Sequence, residues 1–357
     1  HTDANGKTTT FGYDANGNLT STYDPLGNRT TTTYTATGRV STVKDARNNV
    51  TTYQYDSQDQ LTTVTYPDAT TKQFAYDSKG NAVTVVDERG NATTYAFDAM
   101  NRRTGVKDAL GNRTTNVYDS GGNLTQVEAP LSRTTNYAYD SMNRLTTLTD
   151  PLSHAVVSGY DASGNLATVK DALNRVTTYG YDALNRKTVV TDPSDKSTTT
   201  VYDAEGQAVQ VTDRLGRVTA TTYNARGWAQ VVVDPLNHTT TYNYTATGKI
   251  ADQSDANSGG SVSLFRIGYD ALDRRVTLTD ALGETTTTTY DAVGNVQSKV
   301  DPNGNRTTYA YDSRNRLTTV TDPLSHDTAY GYDSAGNRQT VKDALGNVGT
   351  TLYDALN

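Results

Sequence analysis

The 357-residue sequence contains no cysteine, only two methionines and only one tryptophan. Without cysteine the chain has neither a disulfide framework nor a thiolate metal site. No apolar run approaches the length that spans a bilayer, and no signal peptide is recognisable, so we expect no membrane insertion. The net charge of −7 argues against nucleic acid or an anionic membrane surface as the main partner.

Apolar residues are also scarce, at 34% of the chain, which is thin for the compact core of an enzyme. About one residue in five is Thr, and Tyr is abundant. This β-branched and aromatic composition is wrong for a disordered chain and typical of strands. No window shows helical periodicity, so the sequence predicts an all-β protein.

An aromatic residue recurs every 21 residues, with one step of 25 between Tyr244 and Tyr269. Such a fixed period indicates a repeat architecture. We expect one continuous repeat array over residues 1–357, with a lengthened Gly/Ser-rich loop at 252–265. Because the pattern is cut at both termini, we expect a fragment of a longer chain. The 17 anchors, each numbered position 0 of its repeat, are Tyr13, Tyr34, Tyr55, Tyr76, Phe97, Tyr118, Tyr139, Tyr160, Tyr181, Tyr202, Tyr223, Tyr244, Tyr269, Tyr290, Tyr311, Tyr332 and Tyr353.

Two turn signals punctuate each repeat. Position +4 is always Gly, Asn or Asp, the residues that tolerate a left-handed backbone. Position +11 is usually Asp, and all eight prolines fall at +12. These residues predict type I turns with a bulge at +1 to +5 and at +11 to +15. The fold class is therefore a repetitive antiparallel sheet of about 17 stacked 21-residue β-hairpins.

The period of 21 residues is odd, and this bears on which face of the sheet each anchor occupies. Strict alternation would send successive anchors to opposite faces, whereas their shared chemistry requires one face. Each repeat should therefore hold one break in the alternation. Leu at +6 and Val at +9, as in Leu61 and Val64, place a bulge between them. We expect the anchors and the +9 column to share a face, and we expect that face to be concave.

The motifs "YDANGNLT", "YDALNRKT" and "YDSMNRLTTLTDPL" closely resemble the Rhs, or YD-repeat, family. The resemblance implies a long antiparallel sheet that spirals into a hollow shell or tube. In bacterial Rhs toxins and the B/C components of insecticidal toxin complexes, such a shell encloses a C-terminal toxin, and teneurins carry a related shell. The implied partners are the remainder of the parent chain and an enclosed toxin domain, and the implied location is secreted or bacterial cell-surface. About 34 strands, closed once, would make a ring roughly 50 Å across.

The sequence offers no catalytic, cofactor-binding or metal-binding residue, so we expect no enzyme and no cofactor. His154, His238 and His326 all occupy +15, which favours a variable turn position over a metal site. The Asp and Asn of the turns lack the downstream Glu of a calcium-binding EF-hand. Trp228, at +5, is interpreted as a packing variant. An extracellular filament or adhesin remains open as an alternative, built from copies end to end or binding surface glycans.

Overall fold

The computed structural model describes residues 1–257 and 260–356. These residues form 33 β-strands in one sheet and a single 3-10 turn, Pro130–Ser132. The prediction of an all-β repeat is confirmed. Most strands have five or six residues, which is what the interval between two turns leaves in a 21-residue repeat.

The strands are β1 (Thr10–Tyr13), β2 (Leu19–Tyr23), β3 (Arg29–Tyr34), β4 (Val40–Lys44), β5 (Val50–Tyr55), β6 (Leu61–Thr65), β7 (Thr71–Tyr76), β8 (Ala82–Val86), β9 (Ala92–Phe97), β10 (Arg103–Lys107), β11 (Arg113–Tyr118), β12 (Leu124–Ala129), β13 (Arg133–Tyr139), β14 (Leu145–Thr149), β15 (Ala155–Tyr160), β16 (Leu166–Lys170), β17 (Val176–Tyr181), β18 (Lys187–Thr191), β19 (Ser197–Tyr202), β20 (Ala208–Thr212), β21 (Val218–Tyr223), β22 (Ala229–Val233), β23 (Thr239–Tyr244), β24 (Ile250–Asn257), β25 (Gly260–Tyr269), β26 (Arg275–Asp280), β27 (Thr285–Tyr290), β28 (Val296–Val300), β29 (Arg306–Tyr311), β30 (Leu317–Thr321), β31 (Asp327–Tyr332), β32 (Arg338–Lys342) and β33 (Val348–Thr350).

Each strand pairs antiparallel with the next strand in the chain, so the sheet is one continuous meander. Turn A, at +1 to +5, lies at one edge of the ribbon, and turn B, at +11 to +15, lies at the opposite edge. We call these edges the A rim and the B rim. Both turns have the same hydrogen bonds: the amide of Gly17 donates to the carbonyl of Asp14 in turn A, as the amide of Gly27 does to Asp24 in turn B.

The predicted left-handed positions are confirmed. Every described residue at +4 has a positive φ, including Gly17 at 82° and Asn101 at 60°. The same holds at +14, even where Ala69 or Ser153 replaces Gly, Asn or Asp. The turn geometry is therefore imposed by the hairpin, and a side chain at these sites bears the strain.

The break in alternation is a β-bulge, as predicted. Gly12 pairs with Ser21, but the next residue, Tyr13, pairs with Leu19, so Thr20 has no partner of its own. The same shift recurs before the anchor in each hairpin closed by turn A, for example at Tyr34 and Tyr55. Because the bulge takes one residue of each repeat out of the alternation, an even number of residues remains. Equivalent residues of successive repeats therefore lie on the same face of the sheet.

The pairing places the anchors on a single face. Phe11 pairs with Thr22, and Thr22 pairs with Thr30. Residues directly opposite share a face, as do residues two apart along a strand, so Tyr13 and Tyr34 project from the same side. The +9 residue also lies there: Val64 pairs with Tyr53. The shared face is confirmed, and its concave position stays a prediction.

The four extra residues near 252–265 do not make the lengthened loop that we expected. They lengthen two strands instead: β24 has eight residues and β25 has ten. Asp255 pairs with Val262 and Ala256 with Ser261, which continues the ladder beyond the usual turn position. Ladder hydrogen bonds satisfy more backbone groups than a loop would, and this explains the difference. Residues 258 and 259 lie outside the described residues.

The ribbon curls until it overlaps itself. Hydrogen bonds join residues 226 to 268 positions apart, for example Asn5 with Thr247 and Arg47 with Asn315. One turn of this open spiral therefore takes about 12 repeats, or about 24 strands. A strongly twisted sheet of this length must curl. At ~4.8 Å per strand one turn is roughly 40 Å across, which is smaller than the ring of roughly 50 Å that all the repeats would make if closed once.

Little of the chain is buried, because a single-layer sheet has no second layer to cover either face. Among the described residues, Val64 is the one large apolar side chain that is buried, with 8% of its surface exposed. Stability must therefore come from the ladders, the turns and the contacts between neighbouring hairpins.

Candidate functional site

The anchor tyrosines staple each repeat to the one before it. All anchors except Tyr353 are the last residue of a strand. Beyond the Ser21–Thr31 pair, the bulge ends the ladder between β2 and β3, and the carbonyl of Leu19 lies past its end. The hydroxyl of Tyr34 donates to that carbonyl at 2.7 Å. The hydrogen of each hydroxyl engaged in this way is already donated.

The same hydrogen bond, from the anchor hydroxyl to the +6 carbonyl of the preceding repeat, recurs along the sheet at 2.5 to 3.1 Å. It is made by Tyr34, Tyr55, Tyr76, Tyr118, Tyr139, Tyr160, Tyr181, Tyr202, Tyr223, Tyr244, Tyr269, Tyr290, Tyr332 and Tyr353.

The aspartates that open the turns act as caps. Oδ1 of Asp14 accepts the amides of Asn16 and Asn18, at 2.9 Å each, and Oδ2 accepts the side-chain amide of Asn18. The hydrogen bond from the Asn18 side chain is the main reason that the pKa of Asp14 lies below its ordinary value. The carboxylate oxygens of these aspartates thus accept hydrogen bonds within their own turns.

The three histidines at +15 take the same structural position. Nδ1 of His154 lies 3.0 Å from Oδ2 of Asp150, and His238 and His326 repeat the contact with their own turn aspartates. The interpretation of these residues as one variable turn position is confirmed. Within the described residues, no group of three or more His, Asp or Glu side chains could hold a metal ion.

Arginine at +5 links one hairpin to the next. Arg144 donates through Nε to Asp140 in its own turn at 2.7 Å, and its guanidinium lies over the ring of Tyr160, 4.5 Å from the centroid. Such cation–π contacts recur at Tyr118, Tyr202, Tyr290 and Tyr332.

Trp228 takes the place of this arginine in one repeat. Its ring centroid lies 5.3 Å from that of the next anchor, Tyr244. The packing interpretation of Trp228 is confirmed.

The seam between successive turns of the spiral joins the B rim to the A rim. Arg47 on the B rim donates to the carbonyl of Asp312 at 2.6 Å and lies 3.6 Å from the carboxylate of Asp291. Arg89, two repeats later, reaches the carbonyl of Asp354 and the carboxylate of Asp333. A step of two repeats along the B rim thus corresponds to a step of two repeats along the A rim.

An ion-pair cluster lies in the part of the seam between the Arg47 and Arg89 contacts. Arg314 on the A rim contacts Asp68 and Glu88 on the B rim, at 3.4 and 3.5 Å. Its guanidinium also lies over the Tyr66 ring, 4.3 Å from the centroid. Arg316 adds a second contact to Asp68, at 3.2 Å.

The seam shields these groups from water. The side chain of Arg314 is 14% exposed, whereas that of Arg175, outside the seam, is 61% exposed. Burial, reinforced by the charge of Glu88, raises the pKa of the Tyr66 hydroxyl. Burial alone would raise the pKa of Asp68, but hydrogen bonds from Thr70 and the two guanidinium groups lower it.

Leucine is exposed at the tip of turn B in most repeats. Position +13 is Leu26, Leu110, Leu131, Leu152, Leu173, Leu215, Leu236, Leu282, Leu324 or Leu345, and each is at least 48% exposed. In the seam, position +13 is polar in four of the five turns, as Asn5, Arg47, Asp68 and Arg89, and Leu26 is the exception. This row of leucines was not predicted from the sequence, although the recurring "DPL" and "DAL" motifs indicate it.

No helix among the described residues is long and apolar enough to cross a membrane. The site, taken together, consists of two rims of capped turns, a sheet stapled by anchor tyrosines and an ionic seam. These features define a curled repeat sheet in which the polar contacts described above hold the turns, the repeats and the seam together.

Family comparisons agree with this architecture. The Teneurin YD-shell family matches residues 5–158, and the RHS Repeat family matches residues 160–197, 202–235, 269–298, 290–327 and 315–348. The chain belongs to the Rhs/YD-repeat family. A search of curated proteins found no match.

Solved structures show the same fold. A chain of the Photorhabdus luminescens Tc holotoxin pore superposes with a TM-score of 0.73 at 16% identity, over 92% of this chain and 22% of that one. The crystal structure of TcdB2-TccC3-TEV gives a TM-score of 0.72 at 16% identity, over 94% and 23%. The chain thus spans about a quarter of the length of these relatives.

Proposed function

We propose that the chain is a section of a hollow shell wall that encloses a toxin polypeptide within its parent protein. The observation that carries the proposal is the seam. Because the B rim near Arg47 docks on the A rim near Asp312, the ribbon encircles a bore instead of remaining a flat sheet. The likeness to Tc toxin chains supplies the fold and the kind of cargo.

The size of the bore limits how the cargo is held. A ring roughly 40 Å across, less a layer of side chains on each side, leaves about 30 Å. A compact domain of ~130 residues has a diameter near 36 Å. A cargo of that size would not fit in this section as a compact domain, so we infer that the section holds an extended or partly folded segment.

The wall itself is passive in this proposal. Its recurring polar groups are committed to turns and staples, as Asp14 and Tyr34 show, and this leaves them no role in a reaction. The chain would act outside the cytoplasm of the producing bacterium, as part of a secreted or delivered protein. The alternative of a filament or adhesin would use the same spiral without a cargo.

Proteolysis of the parent protein tests the proposal. The intact protein is digested with a nonspecific protease, and the surviving peptides are identified by mass spectrometry. We expect a segment outside the YD repeats to survive while the spiral is intact and to be cleaved once acid has unfolded the spiral. If no segment beyond the repeats is protected, the wall encloses nothing and the proposal is wrong.

A further inference from the structure

The leucines at the tip of turn B contribute nothing to their own turns through their side chains. The amide of Leu173 donates to Asp171, and Ser194 and Asn303 make the same backbone contact at the same position. The side chain points away from the hairpin and is 71% exposed at Leu173. A row of such tips, one every two strands or ~10 Å, is an apolar stripe along the B rim.

The seam shows what the B rim meets in this fold. Asn5 contacts Thr247 and Arg47 contacts Asn315, so the B rim lies on an A rim about 12 repeats further along the chain. Leu26 belongs to the turn between these two contacts; at 48% it has the lowest exposure in the row, although Leu110, beyond the seam, is close to it at 52%.

The opposing A rim shows the matching change. The stretch opposite Leu26 contains Leu272 and Val293 at position +3, and both are half-buried. Outside the seam, Leu184 at the same position is 71% exposed. The apolar tips of the A rim are thus less exposed where the two rims meet.

We propose that the leucine stripe on the B rim is a docking surface for the A rim of a second copy of this chain. The contact continues the seam: it uses the same two rims, and the stripe begins where the polar seam residues end. The free A rim offers Met100, Met142 and Leu184, which are about 70% exposed. Because the two rims differ, the contact is head-to-tail and adds copies along the spiral axis. This surface is independent of any cargo.

Sedimentation velocity over a wide range of protein concentration tests the proposal. We expect the wild-type chain to associate as its concentration rises. The triple variant Leu152→Asn, Leu173→Asn, Leu215→Asn should weaken this association at least tenfold. Asn303 already occupies the same turn position, so the variant should fold, and its circular dichroism melting curve should match that of the wild type.

A second variant and a control separate the rims from other surfaces. Met142→Gln with Leu184→Gln on the A rim should weaken association to a similar degree. Val117→Thr with Val201→Thr changes exposed side chains on the sheet face and should leave association unchanged. A wild-type chain that stays monomeric at every concentration overturns the proposal. Association that neither rim variant weakens also overturns it and indicates pairing at the strand edges instead.

Discussion

The hydroxyl of Tyr34 donates a 2.7 Å hydrogen bond to the main-chain carbonyl of Leu19 in the preceding repeat. This contact links the two regularities of the sequence. The bulge at Thr20 lets a 21-residue period keep one face, but it also ends a ladder early. The tyrosine closes that gap, which explains why the anchor is Tyr and is rarely Phe.

Removing one anchor hydroxyl should therefore destabilise the sheet. Tyr181→Phe leaves the carbonyl of Leu166 without its donor, and we expect a loss of about 1 kcal/mol in the free energy of unfolding. Tyr179→Phe, two residues earlier on the same face, is the matched control. Urea denaturation measures both, and equal losses would contradict the role assigned to the anchor.

The natural exception offers the converse experiment. Phe97 stands at an anchor position, 15 residues after Ala82. We expect Phe97→Tyr to place a hydroxyl near the Ala82 carbonyl and to raise the unfolding free energy by about 0.5–1.5 kcal/mol. An unchanged denaturation midpoint would show that the carbonyl needs no side-chain donor.

Position +11 is Asp in most repeats but Ala129 in one, and placing Asp there should give that turn the geometry of the others. The sequences "DPLSH" and "APLSR" share three residues, yet only the second becomes a 3-10 turn with φ of 66° at Leu131. We expect Ala129→Asp to restore the capped turn and to stabilise the chain by about 1 kcal/mol. Asp150→Ala, the reverse change, should destabilise it. Thermal denaturation of the two variants should show shifts of opposite sign.

The left-handed turn position should discriminate between residue types. Gly164 has φ of 90°, so Gly164→Val should cost about 1–2 kcal/mol through the clash of its Cβ. Gly164→Asn should cost far less, because Asn185 holds this position in the next repeat with φ of 59°. If Val and Asn were tolerated equally in chemical denaturation, the turn geometry would be wrong.

Acid should unfold the sheet through its turn aspartates. Hydrogen bonds from Asn18 and Asn112 lower the folded-state pKa of Asp14 and Asp108. A lowered pKa contributes stability above the unfolded-state value, near 3.9, that is lost as the pH falls through the folded-state value. We expect a nearly constant melting temperature around neutral pH and a steep fall below about pH 4. A melting temperature that did not fall in acid would contradict the capping role.

The sequence predicted the local structure well because local structure is set within one repeat. Gly17, Pro25 and the spacing of Leu61 and Val64 define both turns and the bulge. The curl was predicted only as a consequence of length, and the number of repeats in one turn of the spiral was not predicted. It depends on contacts such as Arg47 with Asp312, 265 residues apart, which no 21-residue pattern encodes.

The sequence nevertheless contains one indication of the seam. At +13, Arg47, Asp68 and Arg89 replace the leucine of most other repeats. A run of polar exceptions at one exposed turn position indicates a local partner. The lengthened hairpin at 250–269 was misread for a simpler reason: its Gly/Ser composition suggested a loop, whereas the adjacent ladder could be extended.

The most direct test of the hollow spiral is one distance across the seam. The chain has no cysteine, so spin labels at Ala46→Cys and Ser313→Cys are unique. Ser313 and Asp45 line one groove of the seam. The spiral predicts a label separation well below its diameter of about 40 Å, measured by pulsed dipolar spectroscopy. A ribbon that did not curl back would separate the labels by about 120 Å along the strand-stacking direction, and a distribution without the short distance would contradict the hollow wall.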